Sequence, residues 1–166
     1  MANDDLIRSV LFLCTGNSAR SILAECILNR LGQGRFQAFS AGSQPAGKVN
    51  PYALELLTQE SYSVDGLRSK SWDDFSGPNA PSLDFIITVC GNAAGEVCPV
   101  WPGHPATAHW GVPDPAAVTE SPEAARDAFQ SAYAKLKSRI ELFIALPLDS
   151  LAPSDIKQHL EEIGRT

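Results

Sequence analysis

A predicted strand passes directly into a predicted helix in the stretch Val10-Leu11-Phe12-Leu13-Cys14-Thr15-Gly16-Asn17-Ser18-Ala19-Arg20-Ser21. Its first four residues are apolar, which is typical of a strand buried on both faces of a parallel sheet. Apolar residues at spacings of three and four follow it and predict a helix: Ile22, Leu23, Cys26, Ile27 and Leu31. The small and polar residues between the two elements therefore form a loop at the carboxyl end of a strand.

This loop has the composition of an oxyanion-binding site. Its backbone N–H groups can converge on an anion, the following helix presents its positive N-terminus, and Arg20 offers a planar fork of donors. The same field favours the thiolate of Cys14, the nucleophilic form of a cysteine. We therefore expect Cys14 to be the nucleophile and the anion to be bound by Thr15, Gly16, Asn17, Ser18, Ala19, Arg20 and Ser21.

The segment Val10 to Glu25 resembles the phosphate loop and first helix of the low-molecular-weight protein tyrosine phosphatase superfamily, in which a Cys-(five residues)-Arg-Ser loop is the active site. The resemblance implies one of two chemistries. Phosphatases of the superfamily hydrolyse a phosphocysteine intermediate, whereas its arsenate reductases use additional cysteines and end as a disulfide. The other cysteines of the chain should distinguish the two.

Two further cysteines suit a disulfide relay. Cys90 ends the predicted strand 83–90, and neighbouring parallel strands lie close enough for Cys14 and Cys90 to meet. Cys98 follows on a segment with two glycines that can change conformation at low steric cost. The stretch Val89 to Val100 resembles the redox segment of the thioredoxin-coupled arsenate reductases, which implies a relay from Cys14 through Cys90 to Cys98 and an external dithiol as reductant.

The fourth cysteine, Cys26, lies on the apolar face of the first helix, and we expect it to pack in the core. A zinc site that includes Cys90 and Cys98 is disfavoured, because structural zinc sites space their cysteines by about two to four residues.

Asp114 is the candidate general acid. It stands between Pro113 and Pro115, which fix the backbone and hold the carboxyl in place. The alternative is an ordinary turn, since Asp and Pro are both turn residues. An Asp-Pro pair on a late loop provides the acid in the phosphatase superfamily, and the resemblance carries that role to Asp114. Ala116 and Ala117 follow where phosphatases of this fold usually have an aromatic residue, which favours a small inorganic substrate such as arsenate.

The alternation of strands and helices predicts an α/β protein with a parallel sheet. We expect strands near 7–13, 36–41, 83–90 and 106–110, and helices near 20–32, 50–60 and 122–146. The resemblance implies a three-layer αβα fold with a four-stranded sheet in the order 2-1-3-4, formed by residues 1–146. Residues 147–166 read as a helical extension of the same domain, with Pro147 and Pro153 as interruptions and Ser154 as the cap of a short helix.

The resemblance also implies a potassium ion beside the anion loop. The residues that match the ligand positions in chemical type are Asn17, Glu25, Ser40, Ser71 and Asp73.

The composition is that of a cytoplasmic enzyme. A formal charge of −6 over 166 residues disfavours nucleic acid or an anionic membrane as partner. Cytoplasmic thiols are kept reduced, so disulfides there tend to be transient and catalytic. Thioredoxin is the expected reductant, with glutaredoxin and glutathione as the alternative. A phosphatase and a non-enzymatic redox sensor remain open as other functions.

Overall fold

The computed structural model describes residues 7–76, 80–90 and 105–166. A parallel sheet of four strands forms its centre, in the order β2-β1-β3-β4. The strands are β1 (Arg8–Cys14), β2 (Phe36–Gly42), β3 (Phe85–Thr88) and β4 (Ala106–His109). The predicted fold class and strand order are thereby confirmed.

Within these ranges, four α-helices accompany the sheet: α1 (Arg20–Leu31), α2 (Pro51–Gln59), α3 (Pro122–Ile144) and α4 (Pro153–Gly164). Short 3-10 helices span Trp72–Phe75, Pro115–Ala117 and Leu148–Ser150.

The helix starts follow from the local sequence. The side chain of Ser121 accepts a hydrogen bond from the N–H of Ala124 at 3.0 Å and caps α3. For α4 the expectation was wrong: Ala152 is the capping residue and Pro153 begins the helix, so Ser154 lies inside it. Proline suits the first position of a helix because its missing N–H would have no partner there in any case.

The two faces of the sheet pack against different layers. Val10 and Phe12 of β1 join the large core, to which the α-helices contribute, whereas Leu11 and Leu13 face the opposite side. Among the described residues, that second side is covered by the 3-10 helix Trp72–Phe75, through Phe75. Because both faces are covered, a strand as apolar as β1 is buried throughout its centre.

The register of the sheet brings the two predicted cysteine positions to one edge. Leu13 of β1 pairs with Thr88 of β3, and the N–H of Val89 donates to the carbonyl of Leu13 at 2.8 Å. Cys14 follows Leu13 directly, and Cys90 lies two residues beyond Thr88, so both cysteines stand at this edge of the sheet. Ligands in open α/β sheets bind beyond the carboxyl ends of the strands, which is where both cysteines lie.

Helix α4 packs on β4 and on the loop that leaves it. The indole N–H of Trp110 donates to the carbonyl of Leu160 at 2.9 Å, and the buried Arg139 donates to the carbonyl of Gly111 at 3.1 Å. The loop before Asp114 is therefore held by the C-terminal part of the chain. Within the described ranges, the helices are too short or too polar to span a bilayer.

Candidate active site

The anion loop lies between the end of β1 and the start of α1. Cys14 is 2% exposed, and Asn17 and Ser21 are fully buried. Helix α1 begins after Ala19, and no side chain accepts a capping hydrogen bond from its first N–H groups. The N-terminal N–H groups of a helix point along its axis, which here means toward the loop. This is the arrangement in which a helix N-terminus binds an oxyanion.

A chain of hydrogen bonds leads from a backbone amide to the sulfur of Cys14. The N–H of Lys70 can only donate, and it donates to Oδ1 of Asn17 at 2.9 Å. The Asn17 amide nitrogen therefore faces Ser21 and donates to its Oγ at 2.8 Å. Oγ of Ser21 lies 3.0 Å from Sγ of Cys14 and keeps its own proton, so either atom can donate while Cys14 is a thiol. Once Cys14 is a thiolate, Ser21 is the donor and stabilises the negative charge on sulfur.

The backbone of the loop is fixed by neighbouring segments. The carbonyls of Thr15 and Gly16 each accept an N–H at 2.9 Å, from Gln44 and Ala46 respectively. Gly42 stands so close to the loop that a Cβ there would overlap the carbonyl of Thr15. Asn17 has a φ of 45°, in the left-handed region that asparagine tolerates better than most residues. The loop is therefore held in one conformation before any anion arrives.

Arg20 connects the anion loop to the candidate acid. Its Nη1 donates to the carbonyl of Val112 at 2.9 Å, and its Nη2 lies 3.8 Å from Oδ2 of Asp114. The side chain of Arg20 is 5% exposed and that of Asp114 is 39% exposed. Oδ1 of Asp114 accepts the N–H of Ala116 at 3.0 Å, which leaves Oδ2 facing the guanidinium. The carboxyl is thus held beside the loop, within reach of solvent.

The described cysteines differ in state. Cys14 and Cys26 are free thiols, whereas Cys90 is fully buried and disulfide-bonded. Burial, followed by the charge of Glu25, raises the pKa of Cys26 to about 12, which keeps it a neutral thiol. Cys98, predicted as the third member of the relay, lies outside the described residues.

Four of the predicted potassium ligands already have partners of another kind. Oδ1 of Asn17 accepts from Lys70, Oγ of Ser71 accepts the N–H of Asp73, and Oε1 of Glu25 accepts from the hydroxyl of Ser40. No side-chain contact of Asp73 is part of this network.

A cation of the chain itself lies in the same place. The Nζ of Lys70 is 3.8 Å from Oε1 of Glu25 and 3.4 Å from Oγ of Ser40. Burial lowers the pKa of Lys70, and the carboxylate of Glu25 acts in the opposite sense. Because the charge of Glu25 is already paired, the described residues do not fit a potassium ion here.

Sequence reasoning overlooked Lys70 and Ser69. The hydroxyl of Ser69 donates to the carbonyl of Gly16 at 3.1 Å, and the backbone of Lys70 anchors Asn17. Nothing in the local pattern around residue 70 indicates these contacts, because their partners are about fifty residues away in the chain. A polar stretch after the second helix, Arg68 to Ser71, was the only available signal.

Residues 9–154 match the model of the family described as low molecular weight phosphotyrosine protein phosphatase. The chain belongs to this family. Arsenate reductases are among its curated relatives. The protein from Oceanobacillus iheyensis is 32% identical over 134 residues, which cover 81% of this chain and 93% of the relative. The protein from Brevibacillus brevis is 34% identical over 136 residues, which cover 82% and 93%. By sequence, the chain therefore groups with the arsenate reductases of the family.

Solved structures agree on the fold. Arsenate reductase from Archaeoglobus fulgidus is 25% identical, with a TM-score of 0.63 over 80% of this chain and 98% of that one. A tyrosine phosphatase from Erwinia amylovora is 19% identical and reaches a TM-score of 0.58 over 82% and 90%. Because both classes share the architecture, the fold alone does not separate reductase from phosphatase.

Proposed function

We propose that this protein reduces arsenate to arsenite through a relay of three cysteines. The observation that carries the proposal is the pair of neighbouring strand ends: Cys14 at the end of β1 and Cys90 two residues beyond β3, the latter in a disulfide. Relatives of matching length that are arsenate reductases support the same chemistry. A phosphatase needs the first cysteine but has no use for the second.

In the first step the thiolate of Cys14 attacks arsenate held by the loop and Arg20. A sulfur–arsenic bond forms and an arsenic–oxygen bond breaks. Asp114 gives its proton to the departing hydroxide, which leaves as water. The contact between Arg20 and Asp114, at 3.8 Å, supports this role because it keeps the acid beside the bound anion.

In the second step the thiolate of Cys90 attacks the sulfur of Cys14. A disulfide forms, the sulfur–arsenic bond breaks, and its electron pair stays on arsenic, which passes from the pentavalent to the trivalent state. Two thiols have supplied the two electrons. The position of Cys90 supports this attack, because adjacent strands are about 4.8 Å apart and Val89, the residue before Cys90, still donates to the carbonyl of Leu13 at 2.8 Å.

In the third step the thiolate of Cys98 attacks Cys90 and releases Cys14. The disulfide-bonded state of Cys90 supports its part in thiol–disulfide exchange. An external dithiol, for which thioredoxin is our candidate, then reduces the Cys90–Cys98 disulfide by exchange. Glutaredoxin with glutathione is the alternative reductant. The cycle requires a compartment that keeps thiols reduced, and we propose the cytoplasm.

A single-turnover experiment tests the relay. Cys90→Ser should take up one arsenate on Cys14 and release no arsenite, because the attacking sulfur of the second step is missing. Cys26→Ala is the matched control, since it removes a buried thiol without a task, and it should release arsenite in amounts like those of the wild type. Sustained arsenite release by Cys90→Ser would overturn the proposal.

A phosphatase activity is the second candidate, favoured by the pairing of the Cys14 loop with Asp114, which serves either chemistry. Hydrolysis of an aryl phosphate that survives the loss of both Cys90 and Cys98, in a protein without arsenate reduction, would establish it.

A further inference from the structure

Lys70, Glu25 and Ser40 form a charged cluster beside the anion loop. The side chains of Lys70 and Glu25 are only 11% and 17% exposed, so the pair is well screened from solvent. Nζ of Lys70 lies 3.8 Å from Oε1 of Glu25 and 3.4 Å from Oγ of Ser40, and it also donates to the carbonyl of Arg68 at 3.0 Å. The ammonium thus has oxygen atoms as its neighbours, as a bound monovalent cation would.

The backbone of the same residue is built into the anion loop. The N–H of Lys70 donates to Oδ1 of Asn17, and its carbonyl accepts the N–H of Gly42, both at 2.9 Å. From Asn17 the hydrogen bonds continue through Ser21 to the sulfur of Cys14. A shift of Lys70 would therefore move the group that orients the Asn17 amide.

We infer that Lys70 is a positioning residue that serves as the internal cation of the site. Its ammonium balances Glu25 on α1, and its backbone holds Asn17 in the conformation that presents Ser21 to Cys14. The place that a free potassium ion would take is filled by a side chain, so this protein needs no monovalent cation to hold its loop.

Loss of the Lys70 ammonium should affect the site in a way that loss of a merely structural lysine would not. Removing the ammonium while keeping the volume, as in Lys70→Met, leaves the carboxylate of Glu25 unpaired beside the hydroxyl of Ser40 and frees the carbonyl of Arg68 that Nζ occupied. These oxygens can then bind potassium. We expect a wild type that is indifferent to potassium and a variant that depends on it.

Binding of inorganic phosphate, added as its choline salt, tests this independently of the reaction that the site catalyses. Phosphate affinity and melting temperature are measured in choline chloride, sodium chloride and potassium chloride of equal ionic strength. For the wild type, both quantities should be the same in the three salts. For Lys70→Met in choline chloride, the dissociation constant should rise about ten-fold, as expected when a coupled network is broken, and potassium chloride should restore much of the loss.

Two control variants separate charge from position. Lys137→Met removes a positive charge from α3 and should bind phosphate as the wild type does in every salt. Lys70→Arg keeps the charge and should remain indifferent to potassium.

Three results would overturn the inference. The first is a wild type that binds phosphate more tightly in potassium chloride than in the other salts. The second is a Lys70→Met protein that is unaffected in choline chloride, and the third is one whose loss potassium does not restore. If Lys70→Met fails to fold, the wild type and Lys70→Arg still test the inference, because tighter phosphate binding in potassium chloride by either protein would contradict it.

Discussion

Replacing Ser21 by alanine should slow the chemistry of Cys14 and destabilise the fold at the same time. Ser21 Oγ lies 3.0 Å from Sγ of Cys14 and accepts from Asn17 at 2.8 Å. A hydrogen bond to a charged group contributes about 1.5–3 kcal/mol, and its loss lowers a rate about ten-fold for each ~1.4 kcal/mol. We therefore expect the attack of Cys14 to slow by about ten-fold or more.

The same substitution removes the acceptor of a buried donor. Asn17 is fully buried, so water cannot replace Ser21 as the acceptor for its amide nitrogen. An unsatisfied buried donor costs about 1–3 kcal/mol, which should appear as a lower free energy of unfolding.

Alkylation by iodoacetamide at neutral pH measures the first effect, with the product located on the Cys14 peptide by mass spectrometry. Urea unfolding measures the second. Ser138→Ala is the matched control, since Ser138 is exposed on α3, and it should leave both quantities unchanged. A Ser21→Ala protein that alkylates at the wild-type rate and unfolds at the same urea concentration would refute the hydrogen-bond chain.

Three further predictions concern other parts of the site. Asp114→Asn should lower the single-turnover rate of arsenate reduction by about a hundred-fold, because the side chain no longer donates a proton to the leaving group. Asn can still accept the N–H of Ala116 and keep the fold, so an unchanged rate would rule out Asp114 as the general acid. Gly42→Ala should weaken phosphate binding and lower the melting temperature, because the added Cβ would lie 3.0 Å from the carbonyl oxygen of Cys14. A phosphate affinity and a melting temperature equal to those of the wild type, both measured by calorimetry, would contradict the packing. Cys26 in the folded protein should resist iodoacetamide at pH 8, and rapid labelling would show that it is not buried. Because burial raises its pKa from 9.0 to about 12, the contribution of Cys26 to the free energy of unfolding should be complete below about pH 9 and decline as the pH rises toward 12.

The sequence was most informative where chemistry and local structure coincide. The apolar run before Cys14 and the helical spacing after Arg20 fixed a strand, a loop and a helix, because each element depends on neighbours in the chain. Strand β3 is shorter than predicted, Phe85–Thr88, although the chain beyond it still pairs with β1 through Val89. Periodicity marks an apolar run and does not tell where a ladder of hydrogen bonds ends.

The cluster around Lys70 could not be read from the sequence. Lys70 and Glu25 are forty-five residues apart in the chain. They meet because the segment after α2 returns to the end of β2, where Gly42 forms a β-bridge with Ser71. Glu25 and Ser40, which the resemblance implied as ligands of one ion, do contact each other, and their role as ligands stays a prediction. Residue types alone could not show that Lys70 supplies the cation, because the position of its ammonium depends on the conformation of a long, flexible side chain.

The proposed relay is tested most directly by NADPH consumption with arsenate, thioredoxin and thioredoxin reductase, for the wild type and Cys98→Ser. The wild type should turn over many times, while the variant stalls after one arsenite because its Cys14–Cys90 disulfide is not passed on. Equal and sustained turnover by the two proteins would contradict the three-cysteine account.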